Sequence, residues 1–338
     1  MRMMNDSEKC SYSNVWVIAE AQGGVVAPVT YELIGAARRL ADQRGSQVTA
    51  VLLGSGTAEA APGLIPYGAD QVIVADDTRL AGFCDEAEAR ILDRLIRRHK
   101  PEIILCGATV RGRALAPRVA VMSFCGLTAD CTGLDIDPET GDLLQTRPAF
   151  GGNVMATIRC ANHRPQMATV RPRVMKAPEP DPAREGTVSI EEVTESDIGH
   201  CKRVIETVHD AQAVANLADA RIIVAGGRAM KGREGFRLLE RLANQLGGAV
   251  GASRAAVDAG WVSYAHQVGQ TGQTVQTKVY IACGISGQIQ HLVGMQSCDL
   301  IIAIDKNPDT PMMQMADIAI EGDLFEIVPI LIESIADI

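Results

Sequence analysis

Two stretches of this chain alternate short β-branched runs with helix-length amphipathic segments, a rhythm that few folds other than helices packed on parallel sheets can satisfy. In the first stretch residues 15–19, 48–53, 72–75 and 103–106 are strand-sized runs, separated by helical patterns at 31–44, 87–100 and 114–122. From 127 to 173 the helical period stops, and strand-like segments at 143–146, 154–159 and 167–170 are read as completing the same domain. The second stretch has strands at 222–225, 279–282 and 300–304 and helices at 235–246, from 289, and at 324–336. The expected fold class is therefore α/β, with two doubly wound domains of mainly parallel sheet. We place the domains at 1–206 and 207–338, with a linker near 176–186, where the sequence APEPDPAREG concentrates proline and charge. A short strand at 203–207 is read as an edge element between them.

Composition narrows the function classes. A length of 338 residues, 47% of them hydrophobic, supports two substantial cores. A net charge of −9 gives no general reason to bind nucleic acid or an anionic membrane. No apolar run is long enough to span a bilayer. The opening residues carry Asp6 and Glu8 and lack the character of a secretory signal or transit peptide, so a cytoplasmic location is expected. The nine cysteines are scattered without CxxC pairs, so neither a zinc module nor a dithiol centre is indicated, and no metal is expected.

Chemistry collects in the second domain. Glycine-containing turns follow its strand-like runs at Gly226-Gly227-Arg228, Gly269-Gln270-Thr271-Gly272 and Gly284-Ile285-Ser286-Gly287. Any one of them could be a tight turn, but three at strand ends suit a nucleotide, because glycine lets backbone N–H groups approach phosphate oxygens closely. None fits G-x-G-x-x-G and no GK[ST] ending occurs, so a dinucleotide would be held in some other way.

The run GAVGASRAAVDAGW (248–261), followed by HQVGQTG (266–272) and GISGQIQH (284–291), closely resembles the FAD site of electron-transfer flavoprotein α subunits. The resemblance extends more loosely over the first domain through VWVIAE (15–20), GATVRGRALAPRVA (107–120), TADCTGLDID (128–137) and TRPAFGGN (146–153). It implies FAD as cofactor in the C-terminal domain, with Arg228, Ser253, Arg254, Val268, Gly269, Gln270 and Thr271 along it. Ser286, Gly287, Gln288, Ile289, Gln290, His291, Asp305, Asp323 and Leu324 are implied as further contacts. By the same resemblance Arg254 lies over the isoalloxazine, where a permanent cation favours the reduced, anionic ring. The plainer alternative for Arg254 is an ion pair with a surface carboxylate. Thr271 is implied as a donor near N5 and the C4 carbonyl. His291 is implied at the N1/C2 carbonyl edge, as a donor or a positive imidazole.

The chain departs from the family pattern at Asp305, usually asparagine, at Ala229, usually glycine, and at Gln288, usually alanine. An ionised aspartate at 305 loses a donor beside the adenosine part.

The implied function is that of an electron carrier. It would form a heterodimer with a β subunit and pass electrons to or from acyl-CoA dehydrogenases or similar flavoprotein dehydrogenases. HQVGQTGQTV and VWVIAE look more like subunits of anaerobic bacteria, which leans towards an NADH-dependent electron-bifurcating complex with a second FAD in the β subunit. Two other classes compete: a stand-alone flavin-dependent oxidoreductase, which would need a dedicated acid or base beside the flavin, and a regulatory nucleotide binder without redox work.

Overall fold

The computed structural model describes residues 4–149, 154–199, 202, 204, 217 and 220–336. The chain divides into two compact units, Met1–Thr207 and Val208–Ile338. Residue 203 and residues 205–207, most of the expected edge strand, lie outside the described residues, as do 150–153 of TRPAFGGN.

The first unit is built on a seven-stranded, wholly parallel sheet. Across it run Thr187–Ile190, Gln71–Asp76, Val48–Gly54, Ser13–Ala19, Pro101–Gly107, Gln166–Val170 and Leu127–Cys131. Side chains alternate across such a strand, and both faces are covered here. Val15 and Val17 enter one core with Leu33, Ile34 and Leu40 of helix Pro28–Arg44. Trp16 and Ile18 enter the other, with Ile91, Leu92 and Leu95 of helix Asp85–His99 and Leu115 and Val119 of helix Val110–Met122. Not every strand-like segment after 127 joins this sheet. Leu143–Ala149 and Val154–Arg159 pair antiparallel and, with Gly133–Ile136, form a separate three-stranded sheet. The proline-rich stretch belongs to the first unit: Asp181 donates its backbone N–H to Pro66, Arg184 pairs with Asp70 at 2.7 Å, and the chain then enters the edge strand Thr187–Ile190.

Strand order reverses between Ser13–Ala19 and Pro101–Gly107, the place where open α/β sheets have a crevice. Here the crevice is filled from within. Arg111 donates to Glu88 at 2.7 Å and to the carbonyls of Ala21 and Leu53, while Thr109 donates to Glu20 at 2.8 Å. A void of about 10 Å³ is left among these groups. Burial pushes the Glu88 carboxyl up to about 7 from its ordinary 4.5, against the pull of Arg111.

An acid with a raised folded pKa binds more protons folded than unfolded between those two values. The stability contributed by Glu88 is therefore complete below about pH 4.5 and is lost as pH climbs through about 7. Glu88→Gln is expected to flatten the stability curve over this window, read as urea midpoints at successive pH values. Parallel curves for the two proteins would clear Glu88 of that role.

The second unit carries a five-stranded parallel sheet in the order Ala249–Ala252, Ile222–Gly226, Val279–Cys283, Ile301–Asp305, Ile318–Glu321. Helices Arg233–Gln245 and Leu324–Ala336 cover one face through Phe236, Leu239 and Val328, and an apolar cluster centred on Tyr280 covers the other. Numbered within the unit the order is 2-1-3-4-5, so the reversal falls between Ile222–Gly226 and Val279–Cys283.

Among the described residues no helix is long and apolar enough to cross a membrane, and no cluster of histidine, cysteine and carboxylate residues could hold a metal.

Candidate functional site

The carboxyl ends of the strands on either side of the second reversal run directly into glycine turns. Gly227 donates its N–H to Cys283 at 2.9 Å, and a Cβ at Gly227 would overlap the carbonyl oxygen of Gly284. The two turns thus cross at backbone contact. Gly284 (φ 62°) and Gly287 (φ 80°) are left-handed, which spares the loop between them the strain a side chain would add. A third turn is fastened alongside. Gln270 donates to the Gln290 carbonyl at 2.7 Å, and Gly269 (φ 144°) packs against Gly294 with no room for a side chain on either.

Between these turns lies a cleft of about 720 Å³, within the range of cofactor sites. It brings together Arg228, Ser253, Arg254, Val268, Gly269, Gln270, Thr271, Ser286, Gly287, Gln288, Gln290, His291 and Asp305 from five separate segments of sequence. Three residues implied by the resemblance do not line it. Ile289 is exposed to solvent, Leu324 is buried in the core with Phe236 and Val328, and Asp323 caps helix Leu324–Ala336 through Phe325 N–H while pairing with Lys306 at 2.8 Å. The cleft also takes in Gly227, Asp258, Gln267, Asn307 and Thr310. Gly227 belongs to the first of the three glycine turns read from the sequence, and Gln267 lies within HQVGQTG, but what Gln267 and Asp258 do emerges only from the contacts of the folded chain.

Those contacts set hydrogen-bond polarity. Gln267, almost fully buried, donates from Nε2 to Thr271 Oγ1 at 3.0 Å, and Tyr264 donates its hydroxyl to the Thr271 carbonyl. With its oxygen already accepting, the Thr271 hydroxyl keeps its own hydrogen for a partner in the cleft. Arg254 pairs with Asp258 at 3.3 Å, both side chains about two-thirds exposed, so the surface ion pair is the state present here. Exposed pairs of this kind contribute little and release easily. Arg228 is exposed, lines the cleft and makes no ion pair among the described residues. Asp305 accepts from Asn307 N–H at 3.0 Å, which engages one of its oxygens.

His291 is 7% exposed, and burial pushes its imidazole down to about 4, with the Val268 backbone pulling weakly the other way. It is neutral at physiological pH, so in this geometry it brings no positive charge to the cleft. Its Nε2 meets the hydroxyl of Tyr280 at 2.9 Å, while Nδ1 is buried without a well-formed hydrogen bond. Ser253 Oγ is likewise buried with no partner. Both atoms are enclosed by protein, so the polar groups that the cleft offers a ligand are those of Arg228, Thr271, Ser286 and the glycine turns. FAD fits this donor set. Its pyrophosphate suits Arg228, Ser286 and the glycine N–H groups, and its ring carbonyls suit Thr271.

Comparison with known proteins agrees. Residues 15–196 match the family described as the electron transfer flavoprotein domain, and residues 216–296 match the electron transfer flavoprotein FAD-binding domain. The chain is 52% identical to the electron transfer flavoprotein subunit alpha of Thermoanaerobacterium thermosaccharolyticum, over 98% of this chain and 99% of that one. Identity to the subunit of the same name from Clostridium acetobutylicum is 48%, over 97% and 98% of the two chains. The acryloyl-CoA reductase electron transfer subunit beta of Anaerotignum propionicum is 43% identical, over 98% of each. The chain therefore belongs to the α-subunit family of the electron-transfer flavoproteins, and FAD is its cofactor.

Proposed function

We propose that this chain is the FAD-holding half of an electron carrier, working as a one-to-one heterodimer with a β subunit and exchanging electrons with acyl-CoA dehydrogenases or related flavoproteins. The observation that carries the reading is the convergence of Arg254, Thr271 and His291 on the cleft that also holds the phosphate-type donors. When bound, FAD supplies a ring that takes up and gives back electrons. The protein's part is to hold it and set how readily it does so. Arg228 and the Ser286 to Gln290 loop would grip the pyrophosphate and ribityl chain, with Ser253 beside them on the cleft wall. Thr271, primed by Gln267, would hydrogen-bond the ring edge, with the neutral His291 on the same wall. Arg254, released from Asp258, would place a permanent charge beside the ring.

Relatives named above come from anaerobic bacteria, and one is named as part of an acryloyl-CoA reductase, which supports an acyl-CoA-linked partner. NADH-dependent bifurcation, with a second FAD in the β subunit, is the finer form of this proposal. Co-expression with the β subunit tests it: a one-to-one complex retaining FAD, reduced by NADH and containing two flavins, is the expected result. A chain that sediments alone as a stable, FAD-saturated monomer and turns over an organic substrate unaided would instead establish a stand-alone oxidoreductase.

Arg254→Ala is expected to lower the flavin's reduction potential by about 30 mV, the two-electron equivalent of about 1.4 kcal/mol, while FAD still binds. A potentiometric titration reads this directly. An unchanged potential in a folded variant would mean that Arg254 stays with Asp258.

A further inference from the structure

We propose that Asp258 is a positioning residue that competes with the flavin for Arg254: it holds the guanidinium while the ring is neutral and gives it up when the ring gains charge, and so lowers the reduction potential. The proposal rests on the reading of the cleft as the flavin site.

Arg254 and Asp258 are the first and last residues of the short helix Arg254–Asp258, which follows strand Ala249–Ala252. A spacing of four residues makes them neighbours on one helix face, and both line the cleft. The base they stand on is fixed. Ser253 donates its N–H to the Gly226 carbonyl at 2.9 Å, and Ala256, on the opposite side of the helix, is buried in the core with Phe236 and Leu239. The two side chains are not fixed. They meet through one contact, Arg254 Nε to Asp258 Oδ2 at 3.3 Å, and neither has another hydrogen bond or ion pair among the described residues. Arg233 reaches the same stretch of chain but is held on the Gly260 carbonyl, at 3.2 Å from Nε and 3.1 Å from Nη2, so Asp258 has Arg254 as its cation.

The pair is built to be weak. Its cation lies at the amino end of the helix and its carboxylate at the carboxyl end, the less favourable order for an ion pair four residues apart and the unfavourable end of the backbone dipole for each charge. Both side chains are also about two-thirds exposed, where water screens their attraction. A neutral ring offers Arg254 no better partner than Asp258. Two electrons and one proton delivered to the flavin leave a negative charge on the ring, and in a partly dehydrated cleft that charge attracts a guanidinium more strongly than an exposed carboxylate does. Arg254 therefore changes partner on reduction, and the attraction it leaves behind at Asp258 is subtracted from the stabilisation of the reduced state. Asp258 opposes reduction to that extent, which is the reverse of what Arg254 does.

The test is potentiometric titration of the FAD-loaded full-length chain as wild type, Asp258→Asn, Asp258→Glu, Arg254→Ala and the Arg254→Ala/Asp258→Asn double variant. Asp258→Asn should raise the ratio of reduced to oxidised flavin about fivefold at a fixed potential, the strength of an exposed ion pair, which is about 20 mV for two electrons. Asp258→Glu keeps the carboxylate and should stay near the wild type. In the double variant the rise should vanish, leaving the potential of Arg254→Ala alone, because Asp258 acts through Arg254. The melting temperature of FAD-free Asp258→Asn should match the wild type, which separates this tuning from a loss of structure. An Asp258→Asn potential equal to or below the wild type overturns the proposal, as does a rise that persists at full size in the double variant, where the carboxylate would be acting by its own charge. Failure of the wild-type chain to take up FAD is a different result: it removes the reading of the cleft, and the proposal with it.

Discussion

Gly227→Ala is expected to abolish FAD retention and to destabilise the second unit by about 3 kcal/mol. The added methyl would overlap the Gly284 carbonyl and crowd the Ile285 Cα, and both obstacles are backbone. A flexible side chain could swing aside, but these atoms belong to the turn that closes the cleft and hydrogen-bonds to strand Ile301–Asp305 through Gly284 N–H. Separating the turns far enough to admit the methyl displaces Gly284 to Gly287 from their left-handed path, and with it the donors for the pyrophosphate. Thermal unfolding and flavin absorbance of the purified chain measure the two effects together. Gly63→Ala is the control, because its Cβ meets nothing within 4 Å and its backbone conformation suits any residue. A Gly227→Ala protein that melts like the control and keeps its FAD would show that the turns tolerate separation.

Arg111→Met should cost the first unit about 3–5 kcal/mol, because it removes the only cation paired with Glu88 among the described residues and strands a carboxyl that is 1% exposed. The loss should grow with pH. Without Arg111 the Glu88 carboxyl rises above about 7, so stability continues to fall over a more alkaline range than in the wild type. Adding Glu88→Gln should recover part of the stability by removing the charge that Arg111 neutralises. Urea unfolding of the two single variants and the double variant checks this. Strict additivity, with no recovery, would mean that Arg111 acts through its bonds to the Ala21 and Leu53 carbonyls instead.

Much of the architecture is legible in the chain because the central strands are β-branched and buried on both faces, as at 15–19, 103–106 and 222–225. Strand Ala249–Ala252 escapes the same reading. Its residues are small because the sheet is crowded there, with a Cβ at Gly251 lying 3.0 Å from Ile223 and 3.2 Å from Ala225. Edge strands Thr187–Ile190 and Ile318–Glu321 are mostly exposed and too short to show a period. Composition marks 177–186 as a connection but is blind to the Arg184–Asp70 pair that holds it to the first unit.

The cleft was readable for a different reason: its glycines are required by backbone crossings, and its polar residues stand in fixed order around them. What sequence could not convey was the partner behind each of those residues. Nothing local announces that Asp323 pairs with Lys306, that Gln267 turns the Thr271 hydroxyl outward, or that Tyr280 stands behind His291.

The two units reverse strand order in the same manner, yet only one reversal opens. In the first, Arg111 and the carboxylates of Glu20 and Glu88 supply both signs of charge themselves, leaving space for about one water molecule. A nucleotide there would have to evict a guanidinium and bring its phosphates against two carboxylates. The crevice is in effect a socket wired shut, and of the two reversals it is the one in the second unit that leaves a cleft of cofactor size.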